Sequence, residues 1–189
     1  MSIIYNIQLR SLKEGLGLNS MERMEELIAK LHGGTDGQKE HAAYTLASLA
    51  LDAANKKRIA EAGGVPPLIA LVEGGTDKQK EHAAHALSSL ALDPANQKRI
   101  AEAGGVPPLI ALVESGTDGQ KESAARALGY LALDPANNRR IAEAGGVPPL
   151  VALVEGGTDK QKEYAAHALA NLALDAANKK RITEAGGVP

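Results

Sequence analysis

The tetrapeptide Gly-Gly-Val-Pro starts at Gly63, Gly104, Gly145 and Gly186, each time 41 residues after the last. A self-similar period of this length is the mark of a solenoid, in which one unit cannot bury its own apolar face and must stack on its neighbours. The units run 24–64, 65–105, 106–146 and 147–187. Residues 1–23 form an N-terminal extension, and Val188-Pro189 begin a further unit.

Each unit divides into three helices. Asp93 predicts an N-cap and Pro94 a first helical position, with the helix running to Ala103. Gly104-Gly105 stop it, because glycine accepts the left-handed conformation at a helix end. Val106-Pro107-Pro108 open a second helix that ends near Ser115-Gly116. The third helix of a unit begins behind a threonine cap. Thr76 and Gln79 have the capping-box spacing, and Thr35/Gln38, Thr117/Gln120 and Thr158/Gln161 repeat it. No strand pattern occurs inside the repeats. Leu68, Ile69, Leu71 and Val72 of the second helix, with Leu87 and Leu90 of the third, supply the predicted core.

The third helix carries the variation. It reads KEHAAYTLASLAL, KEHAAHALSSLAL, KESAARALGYLAL and KEYAAHALANLAL in successive units. Successive helical residues lie about 100° apart. With His82 at zero, Lys78, His85 and Ser89 then fall within about 60° of it on one side, whereas Ala83, Ala86, Leu87 and Leu90 fall on the buried face. Unit by unit the line is Gly37, His41, Tyr44, Ser48; Lys78, His82, His85, Ser89; Gly119, Ser123, Arg126, Tyr130; and Lys160, Tyr164, His167, Asn171. Three of the four tyrosines and four of the five histidines lie on it. Tyr and Arg bring large contact area with a polar handle and dominate binding surfaces. Neutral drift on a solvated face favours Lys, Glu, Ala and Gln instead. Ser88, Gln97 and Lys98 also vary between units but fall off the line.

Other chemistry finds little support. The net charge of −2 gives no footprint for nucleic acid or an anionic membrane, and cysteine is absent. No apolar run approaches a membrane span, and residues 1–10 do not read as a secretory signal. These features point to an intracellular, cytoplasmic setting. His41, His82 and His85 draw near one another, but no cysteine or carboxylate shares their line, so a metal site is not expected. The Gly-Gly-Thr-Asp segments before the third helices lack a phosphate-loop lysine and read as caps. No catalytic set stands out, and no cofactor or enzyme activity is expected.

A short helix ending in Ala-Gly-Gly, a Pro-opened second helix, and a third helix ending in Ala-Leu-x-x-Leu-Ala resemble the armadillo repeat, over residues 24–187. The near-identity of units two to four suggests recent duplication or a deliberately regularised sequence. The resemblance implies a right-handed α-solenoid with third helices lining a concave groove that takes an extended peptide. In well-known members a Trp and an Asn recurring on that helix hold the peptide. The Trp position matches Tyr44, His85, Arg126 and His167; the Asn position matches Ser48, Ser89, Tyr130 and Asn171. Only Asn171 keeps the family residue, which points away from basic nuclear-localisation peptides. Lys78, Arg126 and Lys160 on the line favour an acidic or aromatic partner, with Glu40, Glu81, Glu122 and Glu163 flanking.

The sequence therefore predicts a module that binds an extended peptide or disordered segment of a partner. The alternative is a structural or engineered scaffold without a natural ligand, self-associating through its ends. Leu169, Leu172 and Ile182 are expected to be partly open at one end. Ile3, Tyr5, Ile7 and Leu9 alternate in a strand-like way, with a short packed helix as the other reading. They could cap unit one or cover another molecule's end.

Overall fold

The computed structural model of the chain describes residues 20–186. Among them are twelve α-helices and no strand. In chain order these are α1 (Ser20–Gly33), α2 (Asp36–Leu49), α3 (Ala53–Glu61), α4 (Val65–Gly74), α5 (Asp77–Leu90), α6 (Pro94–Glu102), α7 (Val106–Ser115), α8 (Asp118–Leu131), α9 (Pro135–Glu143), α10 (Val147–Gly156), α11 (Asp159–Leu172) and α12 (Ala176–Glu184). The short, middle and long helices recur in that order with the 41-residue period. The alternating residues between Ile3 and Leu9 lie outside the described residues.

The predicted stops and starts are present. Gly63, Gly104, Gly145 and Gly186 take φ values of +80° to +88°, which only glycine adopts without strain. Asp52, Asp93, Asp134 and Asp175 accept backbone N–H groups at the starts of the short helices. All four Thr/Gln capping boxes form. Leu68, Leu87, Leu90 and their counterparts Leu109, Leu128, Leu131 and Leu150 are at most 1% exposed. Alanines 83, 84, 86, 124, 125 and 127 are buried between them, letting the long helices approach closely.

The long helices stack in the order α2, α5, α8, α11, each against the next. Their capping glutamines join them. The Gln79 side chain accepts from Thr76 N–H through Oε1, and its Nε2 donates to the Asp36 carbonyl at 2.9 Å and to Asp36 Oδ1 at 3.2 Å. Gln120 treats Asp77 the same way, and Gln161 treats Asp118. A second set of amides crosses the short helices. Asn96 Nδ2 donates to the Lys56 carbonyl at 3.3 Å, Asn137 to that of Gln97 at 3.1 Å, and Asn178 to that of Asn138 at 3.4 Å. Each amide satisfies a carbonyl that stacking would otherwise leave without water.

Leu169, Leu172 and Ile182 do not form an open face: they are buried on α11 and α12 by α10 and by one another. What α11 exposes instead is Ala166 and Ala170, whereas the counterparts Ala84, Ala125, Ser88 and Gly129 are buried beneath the following unit.

Candidate functional site

The stacked long helices bring the predicted line into one continuous strip. His41, Tyr44, Lys78, Lys160 and His167 are exposed on it, and Ser48, His82, His85, Ser123, Arg126, Tyr130, Tyr164 and Asn171 are half-buried. Ser89 is the exception. It is 3% exposed, because a small side chain on a helix flanked on both sides lies below the level set by its larger neighbours. It offers no contact surface, unlike Ser48 one unit earlier.

The side chains of the strip touch across unit boundaries. The Tyr44 and His82 rings meet edge to face at 5.3 Å. The Arg126 guanidinium carbon lies 5.5 Å from the centre of the Tyr164 ring, a cation–π distance. The Tyr130 and His167 rings meet edge to face at 5.9 Å. Asn171 Nδ2 donates to the Gly129 carbonyl at 2.9 Å and lies 3.3 Å from His167 Nε2. Asn171 thus fixes the His167 ring while bridging two long helices.

Ser88, off the predicted line, belongs to the site. Its Oγ accepts from Arg126 Nε at 2.6 Å. Gly129 occupies the same register one unit on, and a Cβ there would lie 3.0 Å from His167 Nδ1. This position in one unit therefore decides how the anchor of the next unit sits: Ser88 holds Arg126, and Gly129 makes room for His167. The signal in the sequence was that this position varies too, as Ala47, Ser88, Gly129 and Ala170.

Charge along the strip is uneven. Lys78 lies 4.0 Å from Glu40, and Lys160 lies 3.8 Å from Glu122. Between them Glu81 reaches over Gly119, where a side chain would meet its carboxylate. Among the described residues Arg126 has no carboxylate partner. Burial holds the His85 imidazole below its ordinary value of 6.5, assisted by the charges of Arg126 and His82.

A cleft of about 740 Å³ lies away from the strip, between α7 and α10, where Glu114, Lys121, Pro148 and Ala152 line it. A counterpart recurs one unit earlier at Lys80, Pro107 and Ala111. Both are built from framework residues and belong to the stacking. Among the described residues no helix is long and apolar enough to cross a membrane.

Residues 93–133 match the family model of the armadillo/beta-catenin-like repeat, a span that takes in α6, α7 and α8. The chain carries an armadillo repeat, and its solenoid is of the armadillo type. Its solenoid superimposes on the crystal structure of an engineered protein with a TM-score of 0.83 at 33% identity, covering 90% of this chain and 69% of that one. A second engineered protein gives 0.83 at 27% identity, covering 87% and 70%. A designed armadillo repeat protein in complex with the peptide (KR)4 gives 0.81 at 23% identity, covering 86% and 70%. No curated protein matches the chain. In this armadillo stack the long third helices are α2, α5, α8 and α11.

Proposed function

We propose that the strip formed by α2, α5, α8 and α11 binds an extended peptide or the disordered segment of a partner. The observation that carries this reading is where the units differ. Scaffold positions repeat almost without change, whereas the long helices place Tyr, His, Arg and Asn side chains along one line and order them by contacts across unit boundaries. Aromatic groups and a guanidinium already held in place lose little freedom on binding. The designed armadillo protein that carries a peptide supports the reading by likeness of fold. Its peptide is basic. Here Lys78 and Lys160 offset Glu40 and Glu122, and among the described residues Arg126 stands without a carboxylate, so the strip suits an acidic or aromatic segment better.

The test is a screen of disordered peptides, followed by substitution of Tyr44, His85, Arg126, Tyr130, Tyr164 and Asn171 by Ala. Each anchor that contacts the peptide costs about 1–2 kcal/mol of binding. Normal binding by all six variants refutes the strip as the site.

A second reading has one observation in its favour. Exposed Ala166 and Ala170 lie on a face that α5 and α8 bury beneath the next unit. A second copy stacking there would make a heterologous contact, closing into a ring or extending as a filament. Sedimentation across a concentration series tests it, with A166E expected to abolish association. A chain that stays monomeric throughout refutes it.

A further inference from the structure

Among the described residues Arg126 is the one cation of the strip that is oriented from two sides without a carboxylate partner. Its Nε–H is committed to Ser88 Oγ at 2.6 Å, and the guanidinium lies 5.5 Å from the centre of the Tyr164 ring. Lys78 and Lys160, the other cations of the line, each lie within 4.0 Å of a glutamate. Among the described residues the two terminal nitrogens of Arg126 make no hydrogen bond or ion pair. A planar guanidinium held at Nε presents its remaining donors as a fork, the geometry that suits two oxygens of one anion.

Two imidazoles neighbour Arg126 on α5: burial holds His85 below its ordinary value, together with the charges of Arg126 and His82 that it senses. On α2 the groups nearest in register are His41 and Tyr44, whose ring meets His82. On α8 the remaining nearby position of the line, Ser123, is uncharged. The Glu40 carboxylate is turned to Lys78, and that of Glu81 lies over Gly119 at the far end of the helix. At this point of the strip an arginine neighbours two imidazoles, and among the described residues no carboxylate pairs with the arginine; Glu122, one turn before it on α8, lies 3.8 Å from Lys160.

We propose that Arg126, with His85 and His82, forms a subsite for a single anionic side chain of the bound segment, a carboxylate or a phosphate ester, with the dianionic phosphate ester bound more tightly. This rests on the peptide-binding reading above and names the chemistry of one position within it. An anion at Arg126 favours the imidazolium of His85, so its binding takes up a proton and tightens as pH falls from 7.5 towards 6.

The subsite can be tested without knowing the natural segment. The probes are N-acetyl-phosphoserine methylamide, N-acetyl-glutamate methylamide and inorganic phosphate. The readouts are the Arg126 Nε–H resonance and the titration midpoint of the His85 ring. The expected result is a saturable shift of Arg126 Nε–H, an upward move of the His85 midpoint, and weaker binding of the glutamate probe than of the phosphoserine probe. In R126Q, which keeps a polar side chain there, the probes should no longer move the His85 midpoint. S88A, which frees the guanidinium, should weaken the phosphoserine probe by roughly tenfold, the effect of about 1.4 kcal/mol. Shifts confined to surface lysines, or an unchanged response in R126Q, overturn the subsite. In the peptide screen, binders that are indifferent to R126Q overturn the subsite but leave the groove reading standing. A probe response at Arg126 with no peptide binder at all fails the groove reading and leaves the anion site.

Discussion

Arg126 reaches back one unit to Ser88, donating from Nε to a hydroxyl that is wholly buried. Contacts between side chains 38 positions apart recur along the strip, linking Tyr44 to His82 and Arg126 to Tyr164 as well. The binding surface is thus a set of cross-unit pairs, and its energetics can be separated from those of the scaffold.

S88A should lower stability by about 1 kcal/mol, the usual net value of one hydrogen bond. The same substitution in an R126Q background should cost clearly less, because the bond is already gone. A double-mutant cycle by urea denaturation measures the difference. Equal costs in both backgrounds would mean that the bond contributes nothing.

Gln120 closes its own helix cap and also donates to Asp77 in the preceding unit. Among the described residues Gln38 closes a cap only, and it is exposed. Q120A should therefore destabilise by about 1–3 kcal/mol, and Q38A by markedly less. Thermal unfolding of the two variants isolates the inter-unit bond.

The His85 pH dependence has a definite sign. Its pKa is lowered in the folded protein, so below about pH 7.5 the unfolded chain binds more protons at this site and stability falls with pH. The loss grows as pH passes through the ordinary value of 6.5 and is complete once pH lies below the folded value. The urea midpoint should fall more between pH 7.5 and 5.5 for the native chain than for H85Q. Identical falls would show that His85 titrates alike in both states.

Leu128 is 1% exposed at the centre of the stack. L128A should cost about 2–5 kcal/mol, from lost burial and the cavity left behind. L133A, at a leucine 51% exposed, should change stability by under about 0.5 kcal/mol. Paired denaturation curves check both.

The architecture was legible because each cue is local. Proline, Asp and Thr start helices, the glycine at φ +84° stops one, and the apolar spacing sets the buried face. The line of variable residues was legible for the same reason. What one helix cannot reveal is what its neighbours cover. Ser89 sits on the line yet is buried, and Ser88 sits off it yet holds the central arginine. The second function of Gln79, Gln120 and Gln161 was hidden likewise, since a capping box accounts for only part of the amide. The signals that survive in the sequence are paired differences 38 positions apart, which a reading of single helices passes over.

Because Gln79, Gln120 and Gln161 make one and the same bond at successive joints, a block of 41 residues could be moved, copied or removed and the joints would still match. Such a molecule could be re-lettered by shuffling its blocks. Arg126 sets a limit on that grammar. The residues in the place of Ser88 elsewhere are Ala47, Gly129 and Ala170, none of which offers a hydroxyl. The block carrying Arg126 keeps its aim only when it follows the block carrying Ser88, so along this surface meaning resides in adjacent pairs, not in single letters.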